Sequence, residues 1–173
     1  VNDSTPSLSG TTDTAGNKIR IYAADGTTLL ATTTAASDKS WSISDSDYVT
    51  PITDGQQILK VTASDAGGES TAQNFNITVD TVGPRITSSG TAAAIDENSA
   101  LGTTIYTVAA DDIGGSGVKA NSFALSGTDA GSLTIDSATG AVTINSSPNF
   151  ETKSSYSFTV AATDEANLSL IHI

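Results

Sequence analysis

The sequence predicts an all-β protein that consists of two tandem antiparallel β-sandwiches. Short runs of alternating apolar and polar residues are separated by glycine- and aspartate-containing turns along all 173 residues, a pattern typical of sandwich domains. A Val-x-Ala-x-Asp signal occurs three times, beginning at Val61, Val108 and Val160. The Val and Ala point to one face of a strand, and the Asp marks where that strand leaves the core. The spacing of the first and third copies is about that of one sandwich domain.

A first domain is predicted over residues 1–82, with short strands separated by turns. The Asp-Gly pairs at 25–26 and 54–55 mark tight turns. Trp41, the only tryptophan, lies two residues from Ile43 and is interpreted as a core residue, with ligand stacking as the alternative. The predicted strands are residues 6–10, 18–23, 28–34, 40–43, a weak strand near Tyr48, 57–64 and 72–79.

This first domain resembles the bacterial immunoglobulin-like repeats of large surface adhesins. The motifs that carry the resemblance are T-P-S-L-S-G at 5–10, I-R-I-Y at 19–22, K-S-W-S at 39–42, L-K-V-T-A at 59–63 and F-N-I-T-V-D-T-V-G-P at 75–84. The sequence departs from the family at Gly68 and Glu69, where Gly-Asn is common. The resemblance implies a sandwich that serves as a structural repeat.

A second domain is predicted over residues 85–173. The D-S-A-T-G segment at 136–140 predicts a hairpin turn, and strict alternation from Tyr156 to Ala162 predicts a half-buried strand. The predicted strands are residues 85–88, 93–95, 103–110, 122–126, 132–135, 141–145 and 155–163. The predicted core residues are Val108, Phe123, Leu125, Ile135, Val142, Phe158 and Val160.

The second domain resembles a cadherin repeat, in particular the bacterial cadherin-like modules. The motifs, in order, are D-E-N-S at 96–99, G-T-x-I-x-x-V-x-A-x-D at 102–112, L-x-I-D-x-x-T-G-x-V at 133–142, N-F-E at 149–151 and Y-x-F-x-V-x-A-x-D at 156–164. Gly114 stands where the family has a second acidic residue after Asp112. The family's closing strand and acidic linker are missing or replaced.

The last six residues, 168–173, read Leu-Ser-Leu-Ile-His-Ile. The codons CTG TCT CTT ATA CAC ATC encode this peptide and resemble a transposase adapter used in sequencing libraries. We therefore expect the natural sequence to stop near Asn167 and the native last strand to be truncated; a genuine closing strand is the alternative. No functional argument rests on His172, the only histidine.

Composition excludes several classes of function. The net charge of −12, from 19 acidic and 7 basic residues, disfavours binding to nucleic acid and to anionic lipid. No apolar run is long enough for a membrane span, so direct membrane insertion is not expected. Without cysteine or a usable histidine, Cys–His and Ser–His catalytic pairs are unavailable. The sequence therefore predicts a protein that is not an enzyme.

Carboxylates fall at strand ends, where they could bind Ca²⁺, which takes six to eight oxygen ligands. Alternating strand directions place Asp112 and Asp164 at one rim of the second domain, with Asp111 beside them, whereas Glu97 and Glu151 lie at the other rim. The cadherin resemblance implies calcium binding at these positions. The same counting of strands in the first domain puts Asp13, Asp38, Asp54 and the linker residue Asp80 at one rim, with Asp25 and Asp65 at the opposite rim.

We expect a calcium site that uses Asp112, Asp164 and Asp80, with Asp13 or Asp54 as further ligands. For an isolated aspartate the alternative is plain turn chemistry in solvent. The site of Glu97 and Glu151 is expected to be incomplete, because its other ligands would come from a downstream linker.

The two resemblances together imply a structural and adhesive segment of an extracellular bacterial surface protein, stiffened by calcium. Its expected partners are neighbouring repeats of the same chain, with other surface proteins or glycans as further candidates. The alternative is a ligand- or carbohydrate-binding module attached to a secreted enzyme. Such modules expose a planar set of aromatic side chains, and aromatics make up only 5 % of this chain.

Overall fold

A computed structural model describes residues 1–172. The chain forms two compact units, of which the first comprises Val1–Thr81 and the second begins at Val82. In the described residues the only helical segments are single 3-10 turns at Asp45–Asp47 and Ala130–Ser132. The predicted all-β sandwich architecture is therefore confirmed.

The first unit contains seven strands. They are β1 (Leu8–Thr11), β2 (Lys18–Tyr22), β3 (Leu29–Thr34), β4 (Ser40–Ile43), β5 (Gly55–Asp65), β6 (Gly68–Glu69) and β7 (Gln73–Val79). One sheet has the order β3-β2-β5-β6, with β7 also paired to β5, and β1 pairs with β4 in a second sheet. All of these pairings are antiparallel.

The core of the first unit lies between these two sheets. Its fully buried side chains alternate along the strands, as in Ile19 and Ile21 of β2, because successive side chains point to opposite faces. Trp41 is half-buried and packs against this cluster, as expected of a core residue. A Cβ added to Gly10 would lie 2.7 Å from the Trp41 ring, so only glycine fits beside the indole.

The predicted strand near Tyr48 does not form. Tyr48 makes one isolated antiparallel bridge with Ala31 and directly follows the 3-10 turn Asp45–Asp47. The Tyr48 hydroxyl donates a hydrogen bond to the Pro6 carbonyl at 2.7 Å. The segment around Tyr48 is therefore attached to Pro6, just before β1, by the Tyr48 side chain rather than by a ladder of backbone hydrogen bonds.

The second unit contains eight strands. They are β8 (Arg85–Ile86), β9 (Thr104–Thr107), β10 (Ala110–Asp111), β11 (Ala124–Ser126), β12 (Leu133–Ile135), β13 (Ala141–Ile144), β14 (Thr159–Thr163) and β15 (Ser169–His172). The sheets are β12-β13-β9, β11-β14-β15 and the two-stranded β10-β8. The core contains Val108, Val142 and Val160 as fully buried members, with Phe123, Leu125, Ile135 and Phe158 partly buried against them. All seven predicted core residues thus contribute to this core.

Three predicted strands of this unit differ in the structure. The strand predicted over 155–163 begins only at Thr159, so Tyr156 and Phe158 precede β14. The segment 93–95 is not a strand; only the Ala93 amide bonds to the Ile105 carbonyl, at 3.2 Å. Alanine is a poor strand former, since it offers little side chain to pack. The predicted strand 103–110 is split into β9 and β10, which belong to different sheets, with buried Val108 at the crossing.

The C-terminal segment forms a closing strand. β15 pairs antiparallel with β14, from Val160↔His172 to Thr163↔Ser169. These residues cover the edge of β14, and the expectation that the native last strand is truncated stays a prediction. The foreign origin of residues 168–173 stays a prediction.

Candidate metal centre

Asp112 and Asp164 come together at one end of the second unit. Asp112 directly follows β10, and Asp164 directly follows β14. A carboxylate oxygen of one lies within 4.8 Å of a carboxylate oxygen of the other. The two side chains thus reach one point from strands in different sheets.

Asp164 is a fully buried aspartate with one unpartnered oxygen. Its exposed fraction is 0 %. Its Oδ1 accepts a hydrogen bond from the Leu168 amide at 2.8 Å, while its own amide donates to the Leu168 carbonyl at 3.0 Å. Its Oδ2 is buried and has no hydrogen-bond partner among the described residues. A buried carboxylate oxygen without a partner is costly unless a proton or a cation satisfies it.

Asp112 is half-buried and is held by the loop that follows it. Its Oδ2 accepts a hydrogen bond from the Gly117 amide at 2.6 Å. A Cβ built on Gly115 would lie 2.4 Å from Asp112 Oδ1. The loop therefore wraps tightly around this carboxylate, and a side chain at position 115 would displace it.

Two further acidic residues, Asp111 and Asp80, are predicted calcium ligands. Asp111 is half-buried in β10 and pairs in register with Arg85 of β8. Asp80 directly follows β7 in the first unit, is fully buried, and donates its amide hydrogen to the Val1 carbonyl at 2.8 Å.

Glu97 and Glu151 are exposed and lie elsewhere in the second unit. Both line one open cleft of about 590 Å³, whose walls include Ile105, Tyr156 and Phe158. Lys153, on the same cleft, forms an ion pair with Asp129 at 2.8 Å. This hydrogen-bonded lysine, together with the Ser157 amide, lowers the pKa of Asp129.

The predicted grouping of acids in the first unit is wrong. β7 is antiparallel to β5, which is antiparallel to β2. As a result Asp54 and Asp80 share one end of the unit with Asp25, not with Asp13. Asp13 and Asp38 lie at the other end with Asp65. The prediction assumed a strand near Tyr48. Because that strand does not form, every earlier strand runs, relative to β5, in the direction opposite to the predicted one.

Sequence reasoning missed the backbone groups that orient the two carboxylates. The Gly117 and Leu168 amides carry no side-chain signal of their own. The three glycines at 114, 115 and 117 could have indicated a tight loop after Asp112. In the structure Gly114 and Gly117 adopt positive φ angles of 86° and 93°. Such angles favour glycine in a tight loop.

Comparison with known families agrees with both resemblances. Residues 1–81 match the family model of the bacterial Ig-like domain, and residues 91–170 match that of the cadherin domain. The recognition of an Ig-like repeat followed by a cadherin-like repeat is thereby confirmed. Both are adhesion-type, non-catalytic modules typical of extracellular or surface proteins. No helix in the described residues is long and apolar enough to cross a bilayer.

Among solved structures, the chain is similar to mouse cadherin-23 EC22-24 at 18 % identity and a TM-score of 0.45, covering 88 % of this chain and 49 % of that one. It is also similar to Drosophila N-cadherin EC1-4, at 22 % identity and a TM-score of 0.46, covering 91 % of this chain and 40 % of that one. The chain spans half or less of the length of both. No curated protein matches it in sequence.

Proposed function

We propose that this chain is a non-catalytic adhesive repeat segment of an extracellular bacterial surface protein, and that it binds Ca²⁺ through Asp112 and Asp164. The observation that carries the calcium proposal is the buried, unpartnered Oδ2 of Asp164. Calcium would stiffen the segment by neutralising carboxylates that otherwise repel each other.

The donor set fits calcium rather than a softer metal. The converging groups are carboxylate oxygens, and the chain contains no cysteine. Hard cations such as Ca²⁺ prefer oxygen ligands and tolerate irregular geometry. Each carboxylate already uses one oxygen to accept a backbone hydrogen bond, which orients the side chain and leaves the second oxygen for a cation.

Asp80 is proposed as the ligand from the linker, with Asp111 as a further one. Only four residues separate Asp80 from Arg85, whose strand partner is Asp111, the neighbour of Asp112. Five steps of extended chain span at most about 18 Å, and this short connection is what supports Asp80 as a proposed ligand. Glu97 and Glu151 are proposed for a second, weaker site on their own cleft.

The alternative function, a carbohydrate-binding module, has less support. Such a site needs several exposed aromatic rings that form one platform. In the described residues the exposed phenylalanines are Phe75 and Phe150, at 46 % and 66 % exposure, and they belong to different units. A single ring on each unit does not make a platform, which favours the structural repeat.

Calcium titration of the full chain tests the proposal. Extracellular calcium modules bind at roughly 10⁻⁴–10⁻³ M, and a ligand at ten times its Kd stabilises the bound state by about 1.4 kcal/mol. We expect the melting temperature of the parent to rise over millimolar calcium. The variant Asp112→Asn with Asp164→Asn should lose this rise and keep only the smaller response of the weaker Glu97 and Glu151 site.

The matched control is Asp13→Asn with Asp45→Asn, which removes the same charge from exposed positions in the first unit. It should respond to calcium like the parent. An identical response of the parent and of the Asp112/Asp164 variant up to several millimolar calcium would show that these residues hold no ion. Binding of the parent to a glycan array would instead favour the alternative.

A further inference from the structure

We propose that the outer face of the five-stranded sheet in the first unit docks an extended acidic segment of a partner protein. The segment would carry acidic side chains four residues apart and an uncharged polar side chain midway between them. An apolar side chain would follow two residues beyond the second acid. This face is independent of the proposed calcium centre.

The register of the strands defines which residues form this outer face. Ile19 and Ile21 of β2 and Leu59 of β5 are buried in the core, so their neighbours along each strand point away from the core. Cross-strand partners share a face, and the pairing of β5 with β7 adds residues of β7. The outward residues that matter here are Lys18, Arg20, Tyr22, Gln56, Ile58, Lys60, Thr62, Ser64, Asn76 and Thr78.

Positive charge is concentrated on this face, although the chain as a whole is acidic. Lys18, Arg20 and Lys60 point outward there, and Lys39 is the one other basic residue of Val1–Thr81. The acidic residues of this unit lie in loops, in turns and at strand ends, apart from Glu69 of β6. The face is therefore a cationic surface, and charge complementarity selects an acidic partner.

Glu69 shows that this face accepts a carboxylate. Its Oε1 accepts hydrogen bonds from Arg20 Nη1 at 3.3 Å and from the Tyr22 hydroxyl at 3.4 Å. The Thr62 hydroxyl donates to the same oxygen. These contacts, led by the Thr62 hydroxyl, hold the pKa of Glu69 below its ordinary value. Glu69 is thus an ionised group that neutralises Arg20.

The two lysines of the face remain for a partner. Lys18 is exposed, Lys60 is half-buried, and neither forms an ion pair with the described residues. Lys60 pairs in register with Tyr22, four residues from Lys18 along β2, so the two positions lie about 13 Å apart along the strands. An extended segment gives its residues i and i+4 the same spacing. The side chain at i+2 would meet Glu69, where a further acid is disfavoured.

The face continues past Lys60 to an exposed apolar side chain. Ile58 lies two residues from Lys60 on the same face and is 47 % exposed. It borders a groove of about 390 Å³ whose lining includes Gln56, Asn76 and Thr78. The side chain at i+6 of the segment would cover Ile58. A partner that supplies both carboxylates and an apolar side chain is a peptide segment rather than an acidic glycan.

Binding of synthetic peptides to the full chain tests the proposal. The matched peptide is E-T-S-T-E-T-V. Its control, E-T-S-E-T-T-V, has the same composition, but its second glutamate points to the opposite side of an extended segment. Fluorescence anisotropy of the labelled peptides gives the dissociation constants. The measurement is made in chelator, so that the calcium centre does not contribute.

We expect the parent to bind the matched peptide at least about threefold more tightly than the control, since the control loses one ion pair of surface strength. Lys18→Gln with Lys60→Gln should weaken the matched peptide by about fivefold or more, because both ion pairs are lost. Lys39→Gln with Lys119→Gln removes the same charge from exposed positions elsewhere and should bind like the parent.

Glu69→Gln separates this geometry from general attraction between charges. The parent should bind E-T-E-T-E-T-V more weakly than the matched peptide, and Glu69→Gln should reverse that order, because it removes the facing carboxylate and frees Arg20. Equal binding of matched and control peptides, or no effect of the two lysines, would overturn the proposal. So would self-association that requires these lysines, which assigns the face to a second copy. Binding of heparin but of no peptide would assign it to an acidic glycan.

Discussion

The Val108 amide donates a hydrogen bond to the Gly140 carbonyl at 2.9 Å, and the two residues are in direct contact. Gly140 has a φ of +72°, and a Cβ built on it would lie 2.6 Å from the Val108 carbonyl oxygen. The hairpin turn that ends at Gly140 is thus fastened to the point where the chain passes from β9 to β10.

Gly140→Ala should therefore destabilise the second unit by about 2 kcal/mol or more. Alanine is strained in the left-handed conformation, and its Cβ would also clash with the Val108 backbone. Urea unfolding of the full chain, followed by a probe in the second unit, measures this. Gly131→Ala is the matched control, since a Cβ there has nothing within 4 Å. Equal loss in both variants would contradict the role of the Gly140 contact.

Tyr48 should make the first unit sensitive to alkali. Burial raises the pKa of Tyr48 to about 12, with Asp3 and Asp45 adding to the shift. The folded state thus keeps this phenol neutral where the unfolded chain ionises, near the ordinary value of 10. Stability from this group is complete below pH 10 and is lost as the pH rises from 10 toward 12.

The measurement is unfolding of the first unit, followed by Trp41 fluorescence, as a function of pH. Tyr48→Phe should lose the hydrogen bond to Pro6 and be less stable at pH 7, yet decline less between pH 10 and 12. A parallel decline of parent and variant would show that another group causes the alkaline transition.

Phe158→Ala should destabilise the second unit by about 3 kcal/mol, at the lower end of the usual range for a buried aromatic. The lower end applies because Phe158 is half-buried; it packs edge-on against Tyr106, with ring centroids 5.8 Å apart. Phe150→Ala is the control in the same unit, since Phe150 is 66 % exposed and its loss should cost less than about 0.5 kcal/mol. Equal melting temperatures of the two variants would contradict the packing of Phe158.

The strands could be read from the sequence because alternation with period 2 survives in most of them, as in Ile19 and Ile21 or Val142 and Ile144. The order of strands in the sheets could not, since pairing depends on contacts distant in sequence. Because the predicted strand near Tyr48 does not form, the prediction put Asp13 and Asp25 at the wrong ends of the first unit relative to Asp54 and Asp80. At the candidate site, the Val-x-Ala-x-Asp pattern located Asp112 and Asp164. It did not indicate the full burial of Asp164 or the Leu168 amide that bonds to its carboxylate.

Asp164→Asn should change stability with opposite signs in the absence and presence of calcium. Without metal, Asp164 is a buried carboxylate whose Oδ2 has no partner in the described residues. An uncharged amide there avoids the cost of burying a charge, keeps an oxygen to accept the Leu168 amide, and can donate to the nearby Asp112 carboxylate. We therefore expect the variant to melt at a higher temperature than the parent in chelator. Its free energy of unfolding should be greater by about 1 kcal/mol or more.

In saturating calcium the order should reverse, because the parent gains binding free energy that the variant has lost with its ligand. Thermal melts in chelator and in 10 mM calcium measure both signs on the same preparations. Asp112→Asn is the comparison, since Asp112 is half-buried and its Oδ2 already accepts a hydrogen bond from the Gly117 amide. This variant should gain less stability than Asp164→Asn in chelator and lose a similar amount of stability in calcium. A variant Asp164→Asn that is less stable than the parent in both conditions would show that the carboxylate is satisfied without a cation.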